Sequence, residues 1–168
     1  MAKIKILTFL INDRYFALPS ASIKEILDSE KSIKQIFYNR GGALRGLLVY
    51  EGDMISVLDT EILLDIASNG NGNGKGTALG MDKLVLICKD RELERAIAIV
   101  INSIDCMETI EEEELKLSQD ESATYTRGFI KEGKGEEQRV VTVLDLKKFL
   151  EYSGKRIESL ESGERVIN

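Results

Sequence analysis

A short β-hairpin that runs straight into a helix start occurs twice in this chain, and the recurrence constrains the fold more than any other feature. In the first copy, Leu47 to Tyr50 and Met54 to Leu58 are apolar, β-favouring runs separated by Glu51-Gly52-Asp53, where glycine supplies the positive φ of a tight hairpin turn. The period then changes. Asp59 or Thr60 offers an oxygen to cap a helix whose Ile62, Leu63 and Ile66 fall at helical spacing, and Asn69-Gly70 supplies the stop. In the second copy, Thr126-Arg127-Gly128-Phe129-Ile130 precedes a longer charged turn and then Val140 to Leu150. Arg45-Gly46 answers to Arg127-Gly128, and Val57-Leu58-Asp59 to Val143-Leu144-Asp145. The separation is too wide for a solenoid repeat and predicts two similar lobes, each built of strands and closed by a short helix.

Composition narrows the function classes. At 168 residues the chain accommodates one domain or two intimately joined lobes. Its 23 basic and 29 acidic side chains leave a formal charge of -6 at pH 7, which opposes general attraction to nucleic acid or anionic lipid. The absence of histidine removes protease-type triads, histidine-ligated zinc and a phosphohistidine relay carried by this chain. Cys88 and Cys106 lack CxxC spacing and lie in or near apolar strand-like runs, so they read as buried reduced thiols in a cytoplasmic protein. No stretch reaches the length of a membrane span, and the apolar start is short and runs into Asn12-Asp13-Arg14 without a small-residue cleavage site. Glu111 to Glu114 lacks the glycine and oxygen-ligand pattern of a calcium loop and reads as a solvated bend. No metal, cofactor or catalytic residue is expected.

In chain order, Lys3 to Ile11 and Tyr15 to Leu18 form an opening hairpin around Asn12-Asp13, ended by Pro19. Ser22 and Glu25 have capping-box spacing, but Ile23 and Ile26 are too few for a full helix, so one helical turn followed by a strand is expected. Ser32 to Asn39 reads as a short edge segment. The asparagine- and glycine-rich residues 68–80 read as a flexible connector. They are not a phosphate loop, because Lys75 precedes glycine instead of Ser or Thr and no helix clearly begins after them. Lys83 to Cys88 and Ala96 to Ile101 are nearly continuous apolar runs, expected to be buried on much of both faces as in a small closed barrel. The segment 153–168 either extends the last helix or is disordered.

The ordered set of Phe16-Ala17-Leu18-Pro19, Ile23-Lys24-Glu25-Ile26, Arg45-Gly46-Leu47-Leu48, Val57-Leu58-Asp59, Gly128-Phe129-Ile130, Val143-Leu144-Asp145 and Phe149-Leu150 resembles the CheW-like chemotaxis coupling domain. The resemblance covers roughly residues 3 to 152. It implies a mainly β fold with short helices and two lobes, each a small five-stranded SH3-like β-barrel. The expected layout is a single domain over 1–152, with lobes near 1–67 and 81–150 and strand exchange between them left open. It further implies a non-enzymatic adaptor that couples methyl-accepting chemoreceptors to a CheA-type histidine kinase. Such an adaptor binds the kinase regulatory domain through barrel ends and the chemoreceptor cytoplasmic tip in a groove between lobes, recruited to receptor arrays at the inner membrane without direct membrane insertion. One departure stands out. The family turn Asn-Leu-Arg-Gly is replaced here by Val49-Tyr50-Glu51-Gly52, so an anion stands where a cation is usual, and attraction across an interface becomes repulsion unless the partner has changed too.

Candidate partner-binding residues follow from these two units: Arg45, Leu47, Leu48, Tyr50, Glu51, Arg127 and Phe129. Leu47, Leu48 and Phe129 would line the inter-lobe groove, with core packing as the plainer reading. Tyr50 and Glu51 are expected to be exposed at the turn. Arg45 and Arg127 would bond loop carbonyls or partner acids. Two other readings remain open: a CheW-like scaffold in a non-chemotactic kinase pathway, and a ligand-sensing β-barrel whose glycine- and asparagine-rich loop closes over a small molecule.

Overall fold

Alternation of lysine with isoleucine starts the first strand, β1 (Lys3–Ile11), which turns through Asn12 at φ 57° and returns as β2 (Arg14–Pro19). The structure is a computed structural model that describes residues 2–28, 43–66, 83–91, 93–117, 119 and 121–166. The expected edge segment at Ser32 to Asn39 and the connector 68–80 lie outside the described residues. After Pro19 comes one 3-10 turn, Ser20–Ser22, and then β3 (Ile23–Leu27), the turn-then-strand order the sequence predicts.

The central hairpin is β4 (Leu44–Tyr50) and β5 (Asp53–Asp59). Tyr50 pairs with Asp53, and Glu51 and Gly52 both take positive φ, 48° and 84°, the two-residue type I′ geometry that matches strand twist. Asp59 caps the helix α1 (Thr60–Leu63) by accepting from the Ile62 N–H at 3.2 Å. That helix is a single turn and stops before Asn69-Gly70. Asp65 enters the left-handed region at φ 53°, and the Asp65 and Ile66 N–H groups bond back to the Ile62 and Glu61 carbonyls, a Schellman stop made without glycine.

The chain continues as β6 (Leu84–Cys88), β7 (Ile97–Ile101), β8 (Ser103–Glu111), β9 (Thr126–Glu132), β10 (Arg139–Leu144) and α2 (Leu146–Val166). At 21 residues α2 carries helix through 153–166, the extension of the last helix that the sequence leaves open.

Among the described residues ten strands form two five-stranded sheets, ordered β8-β1-β2-β10-β9 and β3-β6-β7-β5-β4. The sheets do not follow the division at 1–67 and 81–150. The N-terminal hairpin belongs with the last three strands, because β10 takes β2 as its parallel neighbour, and β6 and β7 belong with β3 to β5, because β5 takes β7. Both ladders are open among the described residues, so the sheets are not closed by strand pairing as small barrels would be.

The two orders superpose strand for strand: β8, β1, β2, β10 and β9 answer to β3, β6, β7, β5 and β4, with the same parallel pairing at the centre. Even the irregularities repeat. Leu44 faces Leu58 and Gly46 faces Val57, which leaves Arg45 as the extra residue of a β-bulge; Thr126 faces Leu144 and Gly128 faces Val143, which leaves Arg127 in the same place.

Three cores result. One lies within the second sheet (Leu48, Ile55, Val57, Val85, Ile87, Ala98, Val100) and one within the first (Ile6, Ala17, Ile110, Ile130, Val141, Val143). The largest joins the sheets and both helices, with Phe9, Leu18, Leu63, Leu86, Ile99, Leu144 and Phe149 all buried in it.

Candidate functional site

The seven candidate residues do not converge. Leu48 is 3% exposed in the second sheet's own core, so its role is packing, while Leu47 beside it is half-buried on the other face of β4. Arg45, at the bulge, reaches Asp59 at 3.3 Å with both side chains largely buried, and Lys83 pairs with Glu61 at 2.8 Å next to it. Burial pushes the Asp59 carboxyl up, against the opposing pull of Arg45 and the Ile62 N–H. Arg127 pairs with Glu112 at 3.0 Å in a more exposed setting. Both arginines thus pair with acids of this chain.

Tyr50 and Glu51 sit at the hairpin tip, Glu51 exposed and Tyr50 half-buried. Partial burial raises the Tyr50 phenol, and the Glu51 carboxylate, which accepts its hydrogen bond, acts in the same direction together with Glu25. Val49 and Met54, cross-strand partners behind the tip, are exposed. On the other sheet Phe129 is half-buried and held at both ends of its peptide by Lys116, whose N–H and carbonyl each bond it at 2.9 Å.

A groove lies elsewhere, between the sheets. Leu7 and Met107, register partners on β1 and β8, form one wall, and Ile23, Lys24 and Ile26 of β3 form the other, enclosing about 310 Å³. Met107 and Ile26 are among the exposed large apolar residues. None of the seven sequence candidates lines it. No motif in their local sequence sets them apart, and only the approach of the two sheets marks them.

The first sheet also holds a charged cluster. Arg139 lies 4.3 Å from the centre of the Tyr15 ring and pairs with Asp105 at 3.0 Å and Glu132 at 3.2 Å. Burial, then the hydrogen bond to Glu132 and its charge, push the Glu108 carboxyl up. Among the described residues no group of three or more His, Cys, Asp or Glu side chains could hold a metal ion, and no helix is long and apolar enough to cross a membrane.

Two five-stranded sheets of one topology, joined by a common core with an apolar groove between them, narrow the families this chain could come from. Over residues 5–153 the sequence matches the family described as CheW-like domain. The chain belongs to that family. The CheW-like match spans both sheets and the first part of α2. A solved structure, that of the scaffolding protein TtCheW from Thermoanaerobacter tengcongensis, is similar in fold at TM-score 0.68 and 15% identity, over 87% of this chain and 86% of that one. No curated protein matches the sequence.

Proposed function

We propose that this CheW-like domain is a non-catalytic scaffold of chemotaxis signalling that couples chemoreceptors to a CheA-type histidine kinase. Family membership supports the scaffold role, and the inter-sheet groove is the observation that carries the coupling. Its walls are apolar at Leu7, Ile23, Ile26 and Met107 and charged at the rim by Lys24 and Glu25, which suits the apolar seam of an amphipathic helix such as a receptor tip. The ends of the sheets are left for the kinase regulatory domain. In this reading the first sheet counts as a small SH3-like barrel, because the Lys116–Phe129 bridge links the chain after β8 to the opposite edge strand, and the second counts as another by its matching strand order. The protein acts in the cytoplasm, drawn to receptor arrays at the inner membrane by its partners. Tyr50 and Glu51 at one tip, with Leu47 behind them, and Arg127 and Phe129 on the other sheet flank these contacts.

Binding of the purified chain to the regulatory domain of a CheA-type kinase from the same source, alone and with a receptor tip fragment, tests this reading. Micromolar or tighter kinase binding is expected, with receptor binding weakened by Ile26→Asp and kinase binding retained. Glu51→Arg is expected to alter affinity for one partner only, since one exposed charge reverses. A folded protein that binds no kinase from that source would overturn the coupling role.

A further inference from the structure

The two sheets differ at one pair of equivalent positions. On the second sheet the bulge arginine, Arg45, is folded onto the aspartate that caps its own helix, Asp59, at 3.3 Å. On the first sheet the corresponding residues are held apart. Arg127 gives its Nη2 to Glu112, and Asp145 accepts the Lys148 N–H at 3.0 Å as the cap of α2. A cavity of about 370 Å³ lies there, lined by both Arg127 and Asp145.

The cavity draws on both sheets. Asp90 and Arg91, from the turn between β6 and β7, add a second anion and a second cation, and Leu144 and Leu146 give it an apolar floor. Its volume lies within the range of small-molecule sites, roughly 300–1,000 Å³. A guanidinium carries five N–H donors in a fork that fits a carboxylate, and the contact to Glu112 uses only one nitrogen. A ligand of one sign would be attracted to two of the four charged side chains and repelled by the other two. A ligand with a carboxylate and an ammonium a few bonds apart complements all four, as Arg45 and Asp59 complement each other on the second sheet.

We propose that this cavity binds a free α-amino acid, its carboxylate held by Arg127 and Arg91 and its ammonium by Asp145 and Asp90, with a short apolar side chain over Leu144 and Leu146. The bound molecule would tie the β6–β7 turn of one sheet to the start of α2 on the other. It thereby gives a scaffold a small-molecule input separate from the groove that Leu7 and Met107 line.

The test is a titration of the isotopically labelled full chain with single free L-amino acids at millimolar concentration, followed by amide resonances of Arg91, Leu144 and Leu146. Propionate and ethylamine serve as half-ligands. At least one amino acid is expected to move those resonances to saturation, with affinity reduced about tenfold or more in Arg127→Gln and in Asp145→Asn, the loss of one charge-assisted hydrogen bond. Asp145→Asn keeps a capping oxygen, and Arg91→Gln, at an exposed position, tests the cation side if Arg127→Gln fails to fold. The proposal is overturned if no amino acid moves the three resonances, if propionate or ethylamine binds as tightly as the best amino acid, or if the folded variants bind like the parent.

Discussion

Gly128 shows how a single residue can be legible as a pattern and opaque in its cause. The sequence marks it as the partner of Gly46, yet the reason glycine stands there comes from another segment. A β-carbon at Gly128 would lie 2.8 Å from the Lys116 carbonyl oxygen, on a backbone at φ +152°, and that same carbonyl accepts the Phe129 N–H. Gly128→Ala is therefore expected to cost about 1–3 kcal/mol, read as a lower urea midpoint; an unchanged midpoint would mean that β9 moves off Lys116 freely. Glu108 gives a prediction of opposite sign. It faces Glu132, Arg139 and Asp105, and its folded carboxyl is raised by burial and by Glu132. A raised folded value means that protonation favours the fold: this contribution is complete below the unfolded value of about 4.3 and is lost as pH rises through the folded one. Glu108→Gln keeps a hydrogen-bonding amide without the charge, so it is expected to stabilise at pH 7 and to lose that advantage in acid. Urea midpoints of both proteins across this range check it, and an equal gain at every pH would contradict the titration.

Among the elements, the local code was readable wherever it was local. Gly52 set the hairpin turn, Asp59 the cap of α1, and alternation the strand β1. The continuous apolar runs of β6 and β7 were correctly expected to be buried on both faces, but one face packs within its own sheet, through Val85, Ile87, Ala98 and Val100, and the other against the opposite sheet, through Leu86, Cys88, Ile97 and Ile99. A closed barrel and a sheet pressed on a second sheet leave the same trace in the sequence. The sequence leaves the end of α2 open because past Leu150 its apolar residues thin out and Gly154 interrupts them, so length is supported by docking and not by propensity. Leu146 and Phe149 are buried in the joint core, and Tyr152 and Ile157 pack against it. Phe149→Ala is expected to cost about 3–5 kcal/mol, measured by chemical denaturation; an unchanged midpoint would mean that the joint core closes over the missing ring.

At the scale of the molecule, the recurrence that opens the sequence is real but permuted. The second lobe reads β3 to β7 along the chain, while the first must borrow β1 and β2 from the far end to stand beside β8, β9 and β10. No local pattern encodes that loan, since the hairpin β1–β2 would alternate in the same way beside either sheet. The groove was illegible for the same reason: Leu7, Ile23 and Met107 become a site only when sheets remote in sequence face each other. Permutation also has an energetic consequence. The N-terminal hairpin supplies Phe9, Ile11, Phe16 and Leu18 to the joint core, where β6 and β7 supply Leu86, Ile97, Ile99 and Ile101, so neither sheet keeps a complete set of apolar contacts once the other is lost. The two sheets are expected to unfold in one transition, although each resembles a lobe with its own interior. Fluorotyrosine labels separate the sheets: Tyr50 reports on the second, and Tyr15 on the first. Their urea midpoints should coincide with each other and with the loss of far-ultraviolet circular dichroism, and Phe9→Ala, in the first sheet, should lower all three together. Distinct midpoints, or a Phe9→Ala variant that shifts Tyr15 and leaves Tyr50 in place, would show two lobes stable on their own and reduce the joint core to a docking surface.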